Sequence, residues 1–391
     1  MTNRAGRFVR QQGGAEGYSA FIPAALPPKP LVILQGEMAR LHEAAALALG
    51  KLGGTSGRLN PERLLYMYVR KEAVLTSQIE GTQSTLSDLL RYENAGAPGT
   101  PVGDVREVSR YVDALFYALD QIRTGSLPLS LRLLKEIHRI LLAGGRGGTQ
   151  ALGEFRRSQN WVGGTRPGNA TYVPSPPHEV LPALGNLEKY IHDAFGPTPA
   201  LLKAGIAHAQ FETIHPFLDG NGRIGRLLIS LMLVADGTLT HPFFYISLYF
   251  KRNRADYYDA LQRIRTHGDW EGWLRFFLIG VEAVANEATG TAEALFNLFA
   301  ADRARVESLG RAAPSALKVY DYLRDRIIVS PTRTAEILGL TWPTVQAAIE
   351  RLEALGIARE VTGKKRDRIY AYERQLRVLD EGADADLRGG S

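Results

Sequence analysis

Apolar positions recur at helical spacing along most of the chain. From Leu31 they return at Leu34, Met38, Leu41 and Ala45, one stripe along a helix face. A second helix is expected after Asn60, with Pro61 at its first position and Glu62 near the positive end of its dipole. Leu64, Leu65, Tyr68, Val69 and Val74 carry it to about Glu80, where Gly81 can end it. Similar patterns predict helices near 104–124, 130–142, 178–195, 199–214 and from about Arg223 to Ala235, with three more stretches in 250–309. Two segments depart from this pattern. Residues 1–30 are polar and rich in Gly and Pro, and read as an arm tied to the body or as disorder. After a break at Gly144 to Gly148, FRRSQNWVGGTRPGNATYVPSPP puts aromatic and β-branched residues on both sides of a Gly/Pro/Asn turn. That predicts a short hairpin, Trp161–Val162 pairing toward Tyr172–Val173. The fold class is mainly α. No fixed-period repeat is present.

The C-terminal part has its own texture. RAAPSA (311–316) reads as a linker. Beyond it the pattern predicts a helix at 315–325, a short helix from Thr332 to Leu338, a turn at Gly339, a helix from Trp342 to Leu355, and two strands around TGKKRD. Helix, helix-turn-helix and a basic hairpin make a winged helix. Residues 315–372 hold ten Lys/Arg against seven Asp/Glu, and the positive charge gathers at Lys364, Lys365, Arg366 and Arg368. Such a wing suits phosphate contacts, so duplex DNA is an expected partner. The second helix offers few base contacts, Thr344, Gln346 and Arg351, and winged helices also dock proteins or dimerise. The expected partition is an arm at 1–30, a helical region at 31–100, a core at 101–310, a winged helix at 315–375 and a disordered tail at 376–391.

The most informative string is HPFLDGNGRIGR, His215 to Arg226. It combines an imidazole, a carboxylate, three glycines, an asparagine and two arginines in one loop-to-helix turn. Gly220 and Gly222 permit a backbone whose successive N–H groups point into one concavity, at a helix N-terminus that favours anions. Asp219 can hold a Mg²⁺ that bridges phosphates. Arg223 and Arg226 lie three apart and can reach phosphate oxygens. His215 titrates near neutrality when unperturbed, which suits a general base. Phe217 and Leu218 alternate with the polar groups and are expected to anchor the loop.

This string resembles the Fic family signature, His-x-Phe-x-(Asp/Glu)-Gly-Asn-Gly-Arg-x-x-Arg, at every fixed position. The resemblance covers roughly 30 to 300 and implies an all-helical Fic domain with a β-hairpin flap. It implies an autoinhibited protein adenylyltransferase that moves AMP from ATP to a Ser, Thr or Tyr hydroxyl of a target or of itself. His215 would take the hydroxyl proton and Asp219 would hold Mg²⁺. Gly220, Asn221, Gly222, Arg223 and Gly225 would surround the phosphates, and Arg226 would take the γ-phosphate. Doc-type relatives, which phosphorylate, carry Ala and Lys where this chain has Gly220 and Gly222. By the same resemblance the 160–173 hairpin, with Trp161, Val162 and Gly163, is a flap that clamps target backbone. ISLYFKRNRADYYDAL (246–261) is similar to the family's segment beside the adenine, pointing to Asn253 and Tyr257, with Tyr258 as an alternative. Thr76-Ser77-Gln78-Ile79-Glu80-Gly81 resembles the inhibitory motif (Ser/Thr)-x-x-x-Glu-(Gly/Asn). Glu80 would pair with Arg226 and deny it to the γ-phosphate. Removal of AMP, transfer of UMP or phosphocholine, and a DNA-binding regulator that merely senses nucleotide stay open at this point, as does a homodimer.

Composition adds bounds. The chain has 391 residues, 45% hydrophobic and 23% charged, ordinary for a globular protein. A run of about 18 apolar residues is absent, as is an apolar signal-peptide core, so a cytoplasmic, non-membrane protein is expected. With no cysteine, disulfides and thiolate metal sites are excluded. The net charge of +6 mildly favours an anionic partner.

Overall fold

The structure is a computed structural model and describes residues 4–12, 17–56, 61–95, 102–144 and 151–380. In chain order the elements are β1 (Gly6–Gln11), β2 (Tyr18–Pro23), α1 (Gly36–Ser56), α2 (Pro61–Ile79), α3 (Leu86–Ala95), α4 (Val102–Thr124) and α5 (Leu131–Leu142). They continue with α6 (Pro177–Ile191), α7 (Ala200–Ile214), α8 (Asn221–Ala235), α9 (Ser247–Arg252), α10 (Arg254–His267) and α11 (Trp270–Glu307). Last come α12 (Ala313–Arg326), β3 (Ile328–Val329), α13 (Pro331–Leu338), α14 (Trp342–Ala354), β4 (Arg359–Glu360), β5 (Tyr370–Ala371) and α15 (Glu373–Asp380).

Several expectations change here. The N-terminal arm is an antiparallel hairpin, β1 with β2, in the register Gly6↔Pro23 to Gln11↔Tyr18. Helix α1 starts at Gly36 rather than Leu31, and Leu31 is 59% exposed. The stripe is real only from Met38 and Ala45, which are buried. Residues 311–316 are not a linker, since α12 begins at Ala313. Residues 376–380 are helical within α15, which buries Leu376 and Leu379; the rest of the expected tail lies outside the described residues. So does most of the break at Gly144 to Gly148. No helix among the described residues is long and apolar enough to cross a membrane.

The chain divides into two compact units, each discontinuous in sequence. One comprises Met1–Lys51 with Arg110–Asn286, and the other Leu52–Ser109 with Glu287–Ser391. The first is built around α7, which buries every residue from Leu201 to Ile214 and so needs cover on all sides. Helices α6 and α8 pack along it. The front of α11 closes in where Gly205 leaves room, and Trp273 Nε1 donates to the Gly205 carbonyl at 2.8 Å. A Cβ at Gly205 would stand 2.9 Å from the Phe277 ring.

In the second unit, α2 buries a broad face, including Leu64, Met67, Tyr68 and Ile79. Tyr68 Oη donates to the Ala288 carbonyl at 2.7 Å, and Arg70 pairs with Glu93 of α3 at 2.5 Å. Asn94 donates to Tyr66 Oη at 2.9 Å and to the Arg326 carbonyl at 3.1 Å. Arg333 of α13 donates to the carbonyls of Glu93 and Asn94, each at 3.1 Å. Gln375 of α15 reaches Met67 Sδ at 3.2 Å. Strands β3, β5 and β4 form a three-stranded antiparallel sheet in that order. Helix α2, just past whose end Glu80 lies, is therefore part of the same unit as the C-terminal elements.

Candidate functional site

The motif loop opens where α7 stops. His215 caps that helix in a left-handed conformation, φ 51° and ψ 61°. A non-glycine residue adopts that backbone at a cost of roughly 1 kcal/mol, so something must hold it. Two side chains do. Arg156 Nε donates to the His215 carbonyl at 2.9 Å, and its terminal nitrogens donate to the carbonyls of Ser158, Ser175 and Ile214 at 3.2, 2.5 and 3.3 Å. Asn160 Nδ2 donates to the Phe217 carbonyl at 2.8 Å and to that of His215 at 3.3 Å. The Arg156 backbone N–H also donates to the Pro216 carbonyl at 2.9 Å. Burial pulls the Arg156 guanidinium down to about 10, which still leaves it charged at neutral pH.

Phe217 is fully buried and anchors the loop as expected, whereas Leu218 is only half-buried. Its ring lies parallel to the His138 imidazole, with centroids 4.0 Å apart and planes 8° from parallel. His138 Nδ1 accepts from the Gly153 N–H at 2.8 Å. Burial is the main cause that lowers the His138 pKa to about 4, so the ring is neutral near pH 7. Asn221 turns its amide inward: Oδ1 accepts from the Phe217 N–H at 2.8 Å and Nδ2 donates to the Phe217 carbonyl at 2.9 Å. The Asn221 side chain thus fastens the loop, and a phosphate would meet the backbone around it instead of that amide.

Gly220 is left-handed at φ 77° and caps α8, as the expected concavity requires. Gly222 is not: it lies inside the first turn of α8, which starts two residues earlier than predicted. The open N–H groups of that turn and its dipole remain the anion-favouring feature. Arg223 and Arg226 are both buried, at 3% and 1% exposure. Asp219 is 62% exposed at the mouth of the loop, with its Oδ1 3.7 Å from Arg223 Nη2 and accepting from the Gly220 N–H at 2.6 Å. One accessible carboxylate beside a helix N-terminus fits a Mg²⁺ that takes its other ligands from phosphates and water. A protein-only cage is absent, since no cluster of three or more His, Cys, Asp or Glu is found among the described residues.

Beside the imidazole stands a residue that the motif did not flag. Glu212 Oε2 is 3.9 Å from His215 Nδ1, three residues earlier on α7. The same carboxylate packs against Gly225, where a Cβ would lie 2.4 Å from Glu212 Oε1. Glu212, Arg156, Asn160 and His138 lie outside the motif, and only the i, i+3 spacing of Glu212 to His215 could have been read beforehand.

Other expected site residues scatter. Val162 and Tyr172 exchange backbone hydrogen bonds at 2.8 and 3.1 Å, which gives the hairpin a single bridge. Trp161 is 39% exposed and Gly163 exposed beside it. Tyr257 is buried among aromatic rings. It is 1% exposed, stacks on Phe250 at 4.5 Å, and its hydroxyl lies 3.0 Å from His208 Nε2. Its neighbour Tyr258 is 41% exposed, because consecutive helix positions lie about 100° apart. Asn253 joins α9 to α10 and donates its amide to the Tyr249 carbonyl at 3.0 Å. In the other unit Thr76 is buried, Glu80 is exposed just past the end of α2, and Gly81 takes φ 100°.

Known proteins share parts of this chain. Residues 128–233 match the profile of the Fic/DOC family, and residues 39–120 match that of the Fic/DOC family N-terminal region. The chain is 36% identical over 150 residues to the protein adenylyltransferase Fic of Aedes aegypti, covering 38% of this chain and 27% of that one. It is 30% identical over 178 residues to a probable protein adenylyltransferase of Aquifex aeolicus, covering 44% of this chain and 48% of the relative. The chain thus spans about a quarter to a half of the length of these relatives. Among solved structures, a Fic family protein from Desulfovibrio desulfuricans superposes with a TM-score of 0.52 at 20% identity, over 84% of this chain and 95% of the other. Fic-1 from C. elegans gives 0.51 at 21% identity, over 65% of this chain and 72% of that one. At such identities the likeness is one of fold.

Proposed function

We propose that the protein transfers AMP from ATP to a hydroxyl of a target protein, itself included. The observation that carries this is the His215 to Arg226 loop. It holds a clamped imidazole, a flanking carboxylate and an open helix N-terminus within one turn. Glu212 lies on the Nδ1 side of His215, and we assign Nε2 the acceptor's proton. The hydroxyl oxygen then attacks the α-phosphorus, the bond to the β-phosphate bridge breaks, and pyrophosphate leaves. Glu212 also favours the imidazolium formed in that step. The N–H groups opening α8, with Arg223 and Arg226, neutralise phosphate charge. A Mg²⁺ held by Asp219 would screen the phosphates and favour departure of pyrophosphate. The named activity of the insect and Aquifex relatives supports the same reading.

In this reading Glu80 restrains the enzyme by competing for Arg226. Incubation with ATP labelled at the α- or the γ-phosphate tests both parts. Glu80→Gly should gain self-labelling from α-label alone, and adding His215→Ala should abolish it. Label from the γ-phosphate would mean kinase chemistry, and an unchanged Glu80→Gly would remove the inhibitory role.

A second reading concerns residues 313–372, whose helices and three-stranded sheet we take as a winged helix. Lys364, Lys365, Arg366 and Arg368 are all exposed around its β4–β5 turn. Duplex DNA is the partner that such a tip fits. Binding should weaken with salt and with neutralisation of Lys364, Lys365 and Arg366 together; binding indifferent to both would exclude it.

A further inference from the structure

Backbone hydrogen bonds run from the N-terminal hairpin into the flap. The Phe21 N–H of β2 donates to the Val173 carbonyl at 2.9 Å, and Tyr172 is bridged to Val162. The Ser175 hydroxyl adds a bond to the Phe21 carbonyl at 3.1 Å. The hairpin is thus a fixed neighbour of the segment that the transferase reading assigns to target binding. Between the two lies a cavity of about 340 Å³. Phe8, Arg10 and Ser19 line it from the hairpin, Thr171 and Tyr172 from the flap, and Gln262 from α10.

The register explains which side chains meet there. Phe8 and Arg10 are two apart on β1 and so share a face, and across the pair they oppose Phe21 and Ser19. Phe8 meets Phe21 edge-on at 5.0 Å, yet stays 55% exposed. Arg10 is exposed, and its guanidinium lies over Gly17, where a Cβ would stand 3.3 Å from both Nε and Nη2. The absence of a side chain at Gly17 leaves that space to the guanidinium. Among the described residues lining the cavity, Arg10 is the charged one and none carries a carboxylate. Hydroxyl and amide groups of Tyr18, Ser19, Thr171 and Gln262 complete a polar wall.

We propose that this cavity is a recognition subsite for a carboxylate side chain of the target protein, bound by Arg10 while an extended target segment lies along the flap. The proposal rests on the transferase reading for the word target, but its physical content is the capture of an acidic segment. A cation set among polar neighbours selects an anionic group, and the guanidinium can hold it through two parallel hydrogen bonds. The exposed Phe8 at its rim offers apolar contact to neighbouring residues of that segment. The subsite would give specificity to a flap whose backbone pairing reads no sequence.

The test uses the full chain without nucleotide, so it stands apart from any transfer activity. Fluorescence polarisation would follow three labelled twelve-residue peptides, each with a central Thr flanked by Glu, by Gln or by Lys. The Glu peptide should bind most tightly, about tenfold more weakly to Arg10→Ala, and more weakly still as salt rises. Arg10→Glu should invert the order and prefer the Lys peptide, an exchange that a general loss of folding cannot produce. Equal binding of the Glu and Gln peptides would overturn the proposal. So would an Arg10→Glu protein that keeps the original preference. A Glu80→Gly protein that labels neither itself nor any protein of a cell extract, yet keeps the Glu-peptide preference, would instead overturn the transferase reading and leave the subsite standing.

Discussion

At the scale of single residues, the site is organised by groups the motif does not contain. Glu212 is the clearest case, because two observations fix its carboxylate: its approach to His215 and its fit against Gly225. Gly225→Ala would place a methyl 2.4 Å from Glu212 Oε1 and push the carboxylate away. In a Glu80→Gly background, both Gly225→Ala and Glu212→Gln should lower kcat about tenfold or more while KM for ATP changes little. Initial rates of self-labelling against ATP concentration would check this; a rise in KM at constant kcat would assign Glu212 to nucleotide binding instead. The residues that carry chemistry were legible because imidazole, carboxylate, glycines and arginines coincide within twelve positions. Arg156, Asn160 and His138 were not, since they meet the loop only through tertiary contacts with main-chain carbonyls and a ring face. The contrast between buried Tyr257 and exposed Tyr258 was not legible either: helical phase decides which of two adjacent tyrosines is buried, and a sequence written without its phase does not.

At the scale of elements, most helices were legible from their apolar stripes, and the failures have specific causes. The β1–β2 hairpin was hidden by polar, Gly-rich composition, because burial is confined to Ala20 and Phe21 of β2 and the rest of its order comes from strand pairing and the Phe21–Val173 bond. Helix α3 is short and held by Arg70, Arg333 and Asn94 contacts that no local pattern reveals. The packing of α5 against the motif loop has a measurable consequence through His138. Its pKa falls from the usual 6.5 to about 4, so the unfolded chain takes up a proton in that interval and the folded chain resists it. Stability from this group is therefore full above about pH 6.5 and is lost as the pH falls toward 4. By pH 5 the loss should be about 2 kcal/mol. His208, lowered to about 3 by the same cause, acts in the same direction. Urea unfolding of the wild type and of His138→Gln at pH 7 and pH 5 isolates the His138 share. The difference between the two proteins should shift by about 2 kcal/mol between the two pH values, and parallel losses would show that His138 does not titrate in this way.

At the scale of the whole molecule, the division into units is the feature that linear reading misplaced. A helical region at 31–100 was expected to precede the core, yet the chain leaves the first unit within α1, re-enters it within α4, and leaves again within α11. Sequence order alone cannot show that Leu52–Ser109 folds with residues 287 onward. The consequence concerns regulation. The turn bearing Glu80 is built on the end of α2, where Glu80 N–H donates to the Ser77 carbonyl at 3.0 Å and Thr82 N–H to the same carbonyl at 3.2 Å. Helix α2 is in turn braced by α3 and α15, and α3 by α13. If Glu80 restrains catalysis, the firmness of that brace sets the restraint, and the C-terminal elements are its anchor. Arg333→Ala removes two hydrogen bonds, both from Nη1, to the carbonyls of Glu93 and Asn94, which should loosen α3 and with it the α2–α3 pair by about 1–2 kcal/mol. Self-labelling should then rise severalfold in the wild-type background and not at all in Glu80→Gly, because the two changes act on one equilibrium. An equal rise in both backgrounds would make the effect of Arg333 independent of Glu80. No rise in the wild type would mean that α2 holds its place without the C-terminal brace.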